Sequence, residues 1–426
     1  MDIRTKAINE KQYITDEDVK IIVTKCGYAT DATTIEAYTM HPISDKMIGF
    51  GAEYFKLNVR VTTYDAQKYL CFFVKVVSKT NAAKTKMAKQ MGAFEKELMF
   101  YEVIKRNIDI PGLKPWSALF VTYLQDVMVF KDLSSLQYVM RNRHKKFDEQ
   151  HVLQALRTLA RFHACTIIFE ETKTKYLQRP YKVNEQYKDI LGKGGFDESN
   201  PWFVQCRIGA LEAIKAFSKY TLNTKHMEII ENRWNTVFNS ALSLADASKE
   251  HRNVICHRDL WNNNILFHYK KLDANTTDPD DCVFVDFAEI RYMPPAGDVM
   301  QLLHCNLSPG FRKTNLNSFL NFYYNQLKVS LGNYNVDIKE TITRDKFITS
   351  AKEQNLWGLV THACLGQTFW LNDDMMTNIS RDSEQFETVM LNDKTTFIKD
   401  TVQSDSIYKK NAMEVFEEII ENYILN

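Results

Sequence analysis

The stretch NVICHRDLWNNNILFHY, residues 253–269, decides the fold of this 426-residue chain. It places a His-Arg-Asp triplet, which ends at Asp259, five positions before Asn264 and between two apolar runs. A bare asparagine-rich hairpin would be ordinary turn chemistry, because asparagine tolerates left-handed backbone and bonds its own main chain. That explanation leaves the charged triplet unexplained. Burying a lone charge costs several kcal/mol unless it is paired, so its partners must lie elsewhere in the chain.

Three further charges interrupt apolar runs. Lys75 lies inside CFFVKVV, residues 71–77, Glu97 lies at the edge of the apolar face of a predicted helix, and Asp286 closes the run VFV before Phe287. Taken singly, each has a plain structural explanation. These are a lysine at a sheet edge that reaches water, a glutamate on a helix flank, and an aspartate that ends a strand.

The order of these residues is more informative than any one of them. A lysine in a strand, a glutamate on the next helix, H-R-D-x-x-x-x-N and then D-F are the sequential signature of the protein-kinase-like fold. In that chemistry Lys75 holds the α- and β-phosphates of ATP and Glu97 holds the lysine. Asn264 and Asp286 supply the oxygen ligands that Mg²⁺ prefers, and Asp259 accepts the proton of the acceptor hydroxyl.

The change in residue pattern along the chain predicts an α+β, bilobal architecture. Runs rich in Val, Tyr, Phe and Thr between residues 46 and 77 predict an antiparallel sheet, and a helix is expected from Phe94. The Lys-rich segment SKTNAAKTKMAKQ, residues 78–90, is interpreted as a polar connector. Mostly helical patterns follow residue 148. We expect a small nucleotide-binding lobe over residues 1–130 and a larger helical lobe over residues 131–426 with the catalytic loop, metal site and acceptor pocket.

Composition excludes several classes of function. Lys plus Arg number 54 against 53 Asp plus Glu, so no excess of charge recruits nucleic acid or an anionic membrane. The eight cysteines form no C-x-x-C pair, which argues against a local zinc or redox motif. The amino terminus has no apolar signal region, and no stretch approaches eighteen apolar residues. We therefore expect a cytoplasmic protein without a membrane span.

Two glycine-containing segments are weaker candidates for phosphate binding. Gly49 and Gly51 give G-x-G before the first strong strand, but Tyr54 stands where a third glycine would complete the phosphate-covering motif. We still expect these two glycines to contribute to the nucleotide site. Gly192–Gly195 lacks the remaining features of a P-loop and is interpreted as a surface turn.

The region after Asp286 indicates the kind of acceptor. Protein kinases follow D-F-G with a long segment that ends in A-P-E and presents a peptide. Here Ala288 replaces the glycine, and the chain reaches RYMPPAGDVMQLL within a dozen residues without A-P-E. Little room remains for a peptide platform, so we expect a small-molecule substrate.

Four segments together carry a family resemblance: FEKELMFYEVI, LARFHA, VICHRDLWNNNILF and CVFVDFAEIRYMPPAGDVMQLL. They resemble the ecdysteroid kinase-like family, a relative of choline kinases and aminoglycoside phosphotransferases, over about residues 45–310. The resemblance implies ATP- and Mg²⁺-dependent phosphorylation of a hydroxyl on an ecdysteroid, another steroid or a lipophilic alcohol. It also places adenine against the segment that contains Phe130 and Asp132, and it gives Asp298 an architectural role beside the catalytic loop.

Two departures and several alternatives stay open at this level. The family usually has glycine at the position of Arg258 and glutamine at that of Ala288, and neither position supplies the base or a metal ligand. A pseudokinase that binds ligand without turnover, a kinase for a choline-like or xenobiotic alcohol, and a protein kinase are the alternatives. We interpret His163 as a core histidine, and NLWGLVTHACLGQTFWL, residues 355–371, as core or acceptor-pocket lining. The acceptor, the effect of the two departures on activity, the oligomeric state, the tissue and the regulation are not encoded in a recognisable pattern.

Overall fold

The structure is a computed structural model that describes residues 13–28, 32–44, 51–64, 66–192, 194–270 and 278–426. Its strands are β1 (Thr33–Pro42), β2 (Ala52–Thr63), β3 (Gln67–Val77), β4 (Phe120–Leu124), β5 (Val127–Lys131), β6 (Tyr138–Met140), β7 (Val254–Cys256), β8 (Ile265–His268), β9 (Asp281–Phe284) and β10 (Arg291–Met293). Its helices are α1 (Asp16–Lys25), α2 (Ala82–Met91), α3 (Ala93–Met99), α4 (Lys105–Ile108), α5 (Glu149–Leu177), α6 (Val183–Leu191), α7 (Pro201–Phe217), α8 (Thr224–Ser243), α9 (Pro295–Asn306), α10 (Pro309–Gly332), α11 (Ile338–Thr341), α12 (Arg344–Glu353), α13 (Asn355–Phe369), α14 (Asp373–Arg381), α15 (Ser383–Glu387), α16 (Thr395–Ser404) and α17 (Ser406–Ile419).

The N-terminal strands form an antiparallel five-stranded sheet in the order β1-β2-β3-β5-β4. Leu57 and Val59 of β2 alternate with more exposed residues, which is the period expected of a strand with one face on a core. Lys75 lies in the middle strand, opposite Tyr54 of β2 and Met128 of β5. The sheet-edge explanation for this lysine is therefore wrong, because both neighbouring strands cover it.

Residues 78–90 contain a helix that the sequence interpretation missed. Asn81 caps α2 by accepting the amide N–H of Lys84, and Gly92 ends it in left-handed backbone at φ 61°. Ala83 and Met87 are buried one turn apart, so the lysines of this segment occupy only part of the helix surface. The interpretation of this segment as a polar connector relied on its lysines and overlooked the helical spacing of Ala83 and Met87.

Two small sheets in the helical lobe position the loops that carry the charged residues of the sequence pattern. β7 pairs with β10 so that Cys256 faces Arg291, and β8 pairs with β9 so that Ile265 faces Phe284. The loop after β7 and the loop after β9 contact each other, because His257 Nε2 lies 3.0 Å from the backbone oxygen of Val285. The long helix α5 packs along α10 behind them.

The architecture confirms the predicted α+β, bilobal fold, with a small antiparallel sheet beside a larger helical part. The helices after residue 148 bury a large apolar core that includes Trp234 and Trp357. Within the described ranges, no helix has both the length and the apolar character needed to cross a lipid bilayer.

Candidate functional site

An ionic contact joins the sheet, helix α3 and the loop after β9. The Lys75 Nζ atom lies 2.5 Å from Oε2 of Glu97 and 2.9 Å from Oδ1 of Asp286. Lys75 is 7% exposed and Glu97 is 1% exposed, so the pair is shielded from water. Burial lowers the pKa of Lys75, but the two carboxylates outweigh it and hold that pKa well above its usual value. The lysine therefore remains a cation at the junction of the two lobes.

The backbone of Asp286 favours this contact. Its φ is 65°, a left-handed conformation that aspartate tolerates better than most residues, and Phe287 follows with its amide N–H bonded to Glu97 Oε1 at 3.2 Å. Glu97 thus binds Lys75 with one oxygen and the D-F segment with the other. The sequence pattern predicted the residue types, and the structure brings all of these side chains together.

The catalytic-loop candidates Asp259 and Asn264 contact each other directly. Asn264 Nδ2 donates to the backbone oxygen of Asp259 at 2.9 Å and to its Oδ2 at 2.7 Å. Among the described residues, the buried Oδ1 of Asp259 has no hydrogen-bond partner. Burial, and then the charges of Asp286 and Glu289, raise the pKa of Asp259 well above its usual value. A carboxylate oriented by an amide, with one free oxygen and a raised pKa, suits a proton acceptor.

Asp298 on α9 holds the backbone that precedes Asp259. Its Oδ2 accepts the amide N–H of His257 at 2.6 Å, and its Oδ1 accepts that of Arg258 at 2.9 Å. His163 Nε2 lies 3.1 Å from the same carboxylate, and its Nδ1 lies 2.7 Å from the Tyr323 hydroxyl. Both ring nitrogens of this fully buried histidine therefore have partners, as expected for a core residue.

These groups face a cavity of about 690 Å³ between the sheet and the helical part. Of the residues predicted for the nucleotide site, Lys75, Glu97, Gly51, Phe130 and Asp132 all line it. Gly49 lies outside the described residues.

Asp132 is held at the cavity wall by two neighbours. Lys56 Nζ lies 2.7 Å from its Oδ2, and the amide of Ser134 donates to its Oδ1 at 2.9 Å. Burial raises the pKa of Asp132, but the hydrogen bonds from Lys56 and Ser134 outweigh it and lower that pKa. The carboxylate that follows β5 is thus ionised and fixed in position.

Beyond Asp259 the cavity has a mainly apolar wall, which we call its helical side. It is lined by Phe94, Phe196, Trp202, Trp261, Phe369 and Met390. Trp261 and Phe369 stack with their ring centroids 5.3 Å apart. Only the end of the 355–371 segment reaches this wall, while Trp357 is buried in the core. Met87 and Met91 of the missed helix α2 also line the cavity, and their helical spacing was the available signal.

Gly194 and Gly195, which we call the glycine segment, lie at one edge of the helical side. The amide of Gly195 lies 2.9 Å from Oε1 and 3.0 Å from Oε2 of Glu289, and Gly195 is buried at the cavity wall. A Cβ atom on Gly194 would lie 2.6 Å from Glu289 Oε2, so a side chain there would displace the Glu289 carboxylate. The surface-turn interpretation is therefore wrong for Gly195, which is buried at the cavity. Glu289 was missed, although a charge three positions after Asp286 was a visible signal.

The donor set fits a divalent cation such as Mg²⁺. Because Asn264 uses its Nδ2 for Asp259, its Oδ1 is the atom left to accept or to coordinate. The Asp286 carboxylate shares one oxygen with Lys75 and is 29% exposed at the cavity. One amide oxygen and one carboxylate are the hard oxygen ligands that Mg²⁺ selects.

Comparisons with known proteins identify the family of the chain. The model of the ecdysteroid kinase-like family matches residues 48–336, more than half of the chain, which confirms the resemblance predicted from the sequence. No curated protein matches the chain.

Two solved structures match the chain at low similarity. The streptomycin-ATP ternary complex of APH(2")-IIa has 13% identity and a TM-score of 0.36, and the match covers 89% of this chain and 98% of the other. The GDP complex of wild-type aminoglycoside 2'-phosphotransferase-IIIa has 11% identity and a TM-score of 0.34, and that match covers 96% and 99%. Similarity at this level does not define a ligand or an acceptor for this chain.

Proposed function

The chain belongs to the ecdysteroid kinase-like family, and from this membership and the cavity we propose that it transfers the terminal phosphoryl group of ATP, with Mg²⁺, to a hydroxyl of an apolar small molecule. Its family makes the chain a small-molecule phosphotransferase. ATP, the metal ion and the nature of the acceptor are the proposed parts. The proposal includes the division into a nucleotide-binding lobe, residues 1–130, and a helical lobe, residues 131–426.

One observation carries the proposal. Lys75 is bonded to Glu97 of the first lobe and to Asp286, which is 211 positions away in the sequence, in the cavity that also contains Asp259 and Asn264. A phosphoryl-transfer site needs a cation for the phosphates, metal ligands and a base in one place. These five side chains supply that set.

Each residue has a separate role. Lys75 binds the phosphates while Glu97 keeps it in place, and the wall at Phe130 and Asp132 holds the base and sugar of the nucleotide. Asp259 orients the acceptor hydroxyl and takes its proton through the oxygen that Asn264 leaves free. When Mg²⁺ is bound by Asn264 and Asp286, it neutralises negative charge on the phosphates.

The acceptor is inferred from the helical side of the cavity. Aromatic rings and methionine side chains dominate that wall, so a mainly apolar molecule buries more surface there than a sugar does. Ecdysteroids, other steroids and lipophilic alcohols are the candidates. A choline-like or xenobiotic alcohol is the alternative within the same reaction.

The test is a substrate panel with a matched pair of variants. Mass spectrometry of products from ecdysteroids, other sterols, choline and plant-type alcohols, with ATP and Mg²⁺, is expected to give a singly phosphorylated apolar alcohol. Asp259→Asn is expected to lower the turnover of this phosphorylation about a thousandfold, and the variant is expected to retain nucleotide binding. The control Asp374→Asn changes an exposed carboxylate on α14 and is expected to behave as wild type.

Two results would refute the proposal. Nucleotide binding without transfer to any alcohol would indicate a pseudokinase, and transfer to peptides alone would indicate a protein kinase. Full turnover by Asp259→Asn would reject this residue as the base even if the reaction itself were found.

A further inference from the structure

Glu289 is a carboxylate of the cavity that the proposed phosphoryl transfer does not use. The acidic residues among the described lining are Glu97, Asp132, Asp259, Asp286 and Glu289. The first four belong to the nucleotide, the base or the metal. Glu289 instead lies where the glycine segment meets the helical side, and its side chain is 13% exposed there.

The hydrogen bonds of Glu289 leave acceptor capacity unused. Both of its oxygens approach the single amide N–H of Gly195, at 2.9 and 3.0 Å. An ionised carboxylate has about four acceptor positions, and one shared N–H fills few of them. A partly buried carboxylate with spare acceptor capacity in a mainly apolar wall can accept a hydrogen bond from a ligand in the cavity.

Two cations lie behind this carboxylate. The Arg258 guanidinium is fully buried between the rings of Phe196 and Trp357, with Nη1 3.9 Å from Glu289 Oε2. Lys96 is 6% exposed and donates to the backbone oxygen of Ile290 at 3.2 Å. Burial lowers the pKa of Lys96 to about 8, while the charge of Glu289 opposes that effect. Together they balance the negative charge of the carboxylate from the side away from the cavity.

The presence of these cations decides which ligand group suits Glu289. The Arg258 guanidinium already lies 3.9 Å from Glu289, so the ammonium of an amine-bearing acceptor would meet a like charge beside this carboxylate. A neutral donor, such as a hydroxyl, gains a charge-assisted hydrogen bond without that repulsion. The apolar rings around the group favour a molecule that carries the hydroxyl on a hydrocarbon frame.

Arg258 has a positioning role in this arrangement. Its φ of 66° is left-handed, which costs a non-glycine residue of order 1 kcal/mol or more. Among the described residues its Nε and Nη2 atoms have no hydrogen-bond partner. Neither feature favours arginine for stability alone, whereas an ionic contact to Glu289 gives the guanidinium a function at the cavity.

We propose that Glu289, positioned by Arg258 and the Gly195 amide, binds a second hydroxyl of the acceptor and so determines specificity for apolar alcohols with at least two hydroxyl groups. This inference rests on the proposed function, because it concerns the acceptor of that reaction. Asp259 faces the hydroxyl that is phosphorylated, and Glu289 accepts a hydrogen bond from the other.

The test compares acceptors that differ in one hydroxyl. The probes are 5α-androstan-3β-ol with 5α-androstane-3β,17β-diol, and 1-decanol with 1,10-decanediol, and 10-amino-1-decanol serves as the cationic analogue. Dissociation constants are measured by calorimetry with a non-hydrolysable ATP analogue and Mg²⁺ present, and kcat/KM is measured with ATP. Wild-type protein is expected to prefer the diol of at least one pair by roughly 10- to 100-fold, the ratio for one hydrogen bond to a charged group.

The variants separate recognition from folding. Glu289→Leu is expected to bring the diol preference to about one, and Glu289→Gln, which can still accept the Gly195 N–H, is expected to reduce it. Arg258→Gly removes the backbone strain and is also expected to reduce the preference. The control Glu102→Gln alters a surface carboxylate paired with Arg106 and is expected to retain it. Thermal unfolding shows whether each variant is folded.

Each outcome has a defined meaning. The inference would be overturned if wild-type protein bound mono-alcohols and diols with equal affinity, or if it preferred the amine. It would also be overturned if the diol preference survived Glu289→Leu, or if no probe bound. Diol-selective binding that depends on Glu289 without phosphate transfer would instead refute the proposed function and leave the recognition role of Glu289 standing.

Discussion

Replacing Asp298 with asparagine tests whether one buried carboxylate holds the catalytic loop. Asp298 is fully buried and receives the N–H groups of His257 and Arg258 at 2.6 and 2.9 Å, and a ring nitrogen of His163 at 3.1 Å. Asparagine keeps one oxygen and turns an NH₂ group toward at least one of these donors. Losing one to two charge-assisted bonds at about 1.5–3 kcal/mol each gives an expected loss of about 4 kcal/mol in the free energy of unfolding.

Urea denaturation at pH 7 measures this loss, with Asp374→Asn as the exposed control that is expected to change stability by less than about 1 kcal/mol. Turnover is expected to fall about 100-fold, because the two amides that Asp298 holds immediately precede Asp259. Nucleotide affinity is expected to change little, since Lys75 does not contact this carboxylate. An Asp298→Asn protein with near wild-type stability and turnover would refute the bracing role.

The pH dependence gives a second check on the same residue. Burial raises the pKa of Asp298, but the hydrogen bonds from His163 and the backbone outweigh it and hold that pKa below its usual value. A depressed pKa means that the unfolded chain binds the proton more readily, so this stabilisation is complete above the usual aspartate pKa and is lost as the pH falls below it. The stability difference between wild type and Asp298→Asn is therefore expected to be constant near neutral pH and to shrink only below about pH 4.

Two further predictions concern lysines near the cavity. Lys75→Met leaves Glu97 buried without its cation, so the free energy of unfolding is expected to fall by about 3 kcal/mol or more. Adding Glu97→Gln to this variant is expected to restore part of the loss. Strictly additive losses of the two substitutions in urea denaturation would contradict a coupled pair. Burial is the main cause that lowers the pKa of Lys96 to about 8. The unfolded chain therefore binds more protons than the folded protein between pH 8 and the usual lysine pKa. Wild-type stability is expected to rise with pH across that window. Lys96→Met is accordingly expected to be about 2 kcal/mol more stable than wild type at pH 7 and equal to it near pH 10, and an unchanged difference across that range would contradict the assignment.

The sequence predicted the fold class and the polar residues because each of these was written in residue identity and order. A charged residue inside CFFVKVV has few explanations, and the spacing from Asp259 to Asn264 has fewer still. The helical side of the cavity was not predictable in the same way. Phe196, Trp202 and Met390 come from distant segments, and an aromatic residue in a helical pattern looks the same whether it lines a cavity or fills a core.

The role of the buried Arg258 follows from its packing in the structure and could not be predicted from the family pattern. Compared with the family pattern, an arginine in place of the usual glycine is only a departure. In the structure it occupies left-handed backbone next to Asp259, its guanidinium lies over the rings of Phe196 and Trp357, and its Nη1 atom lies 3.9 Å from the Glu289 carboxylate. A side chain of that size fills much of the space around the loop, so its position depends on the residues packed against it. Arg258, Glu289 and Gly195 therefore form one connected arrangement at the cavity wall, and its proposed effect is on the recognition of the acceptor.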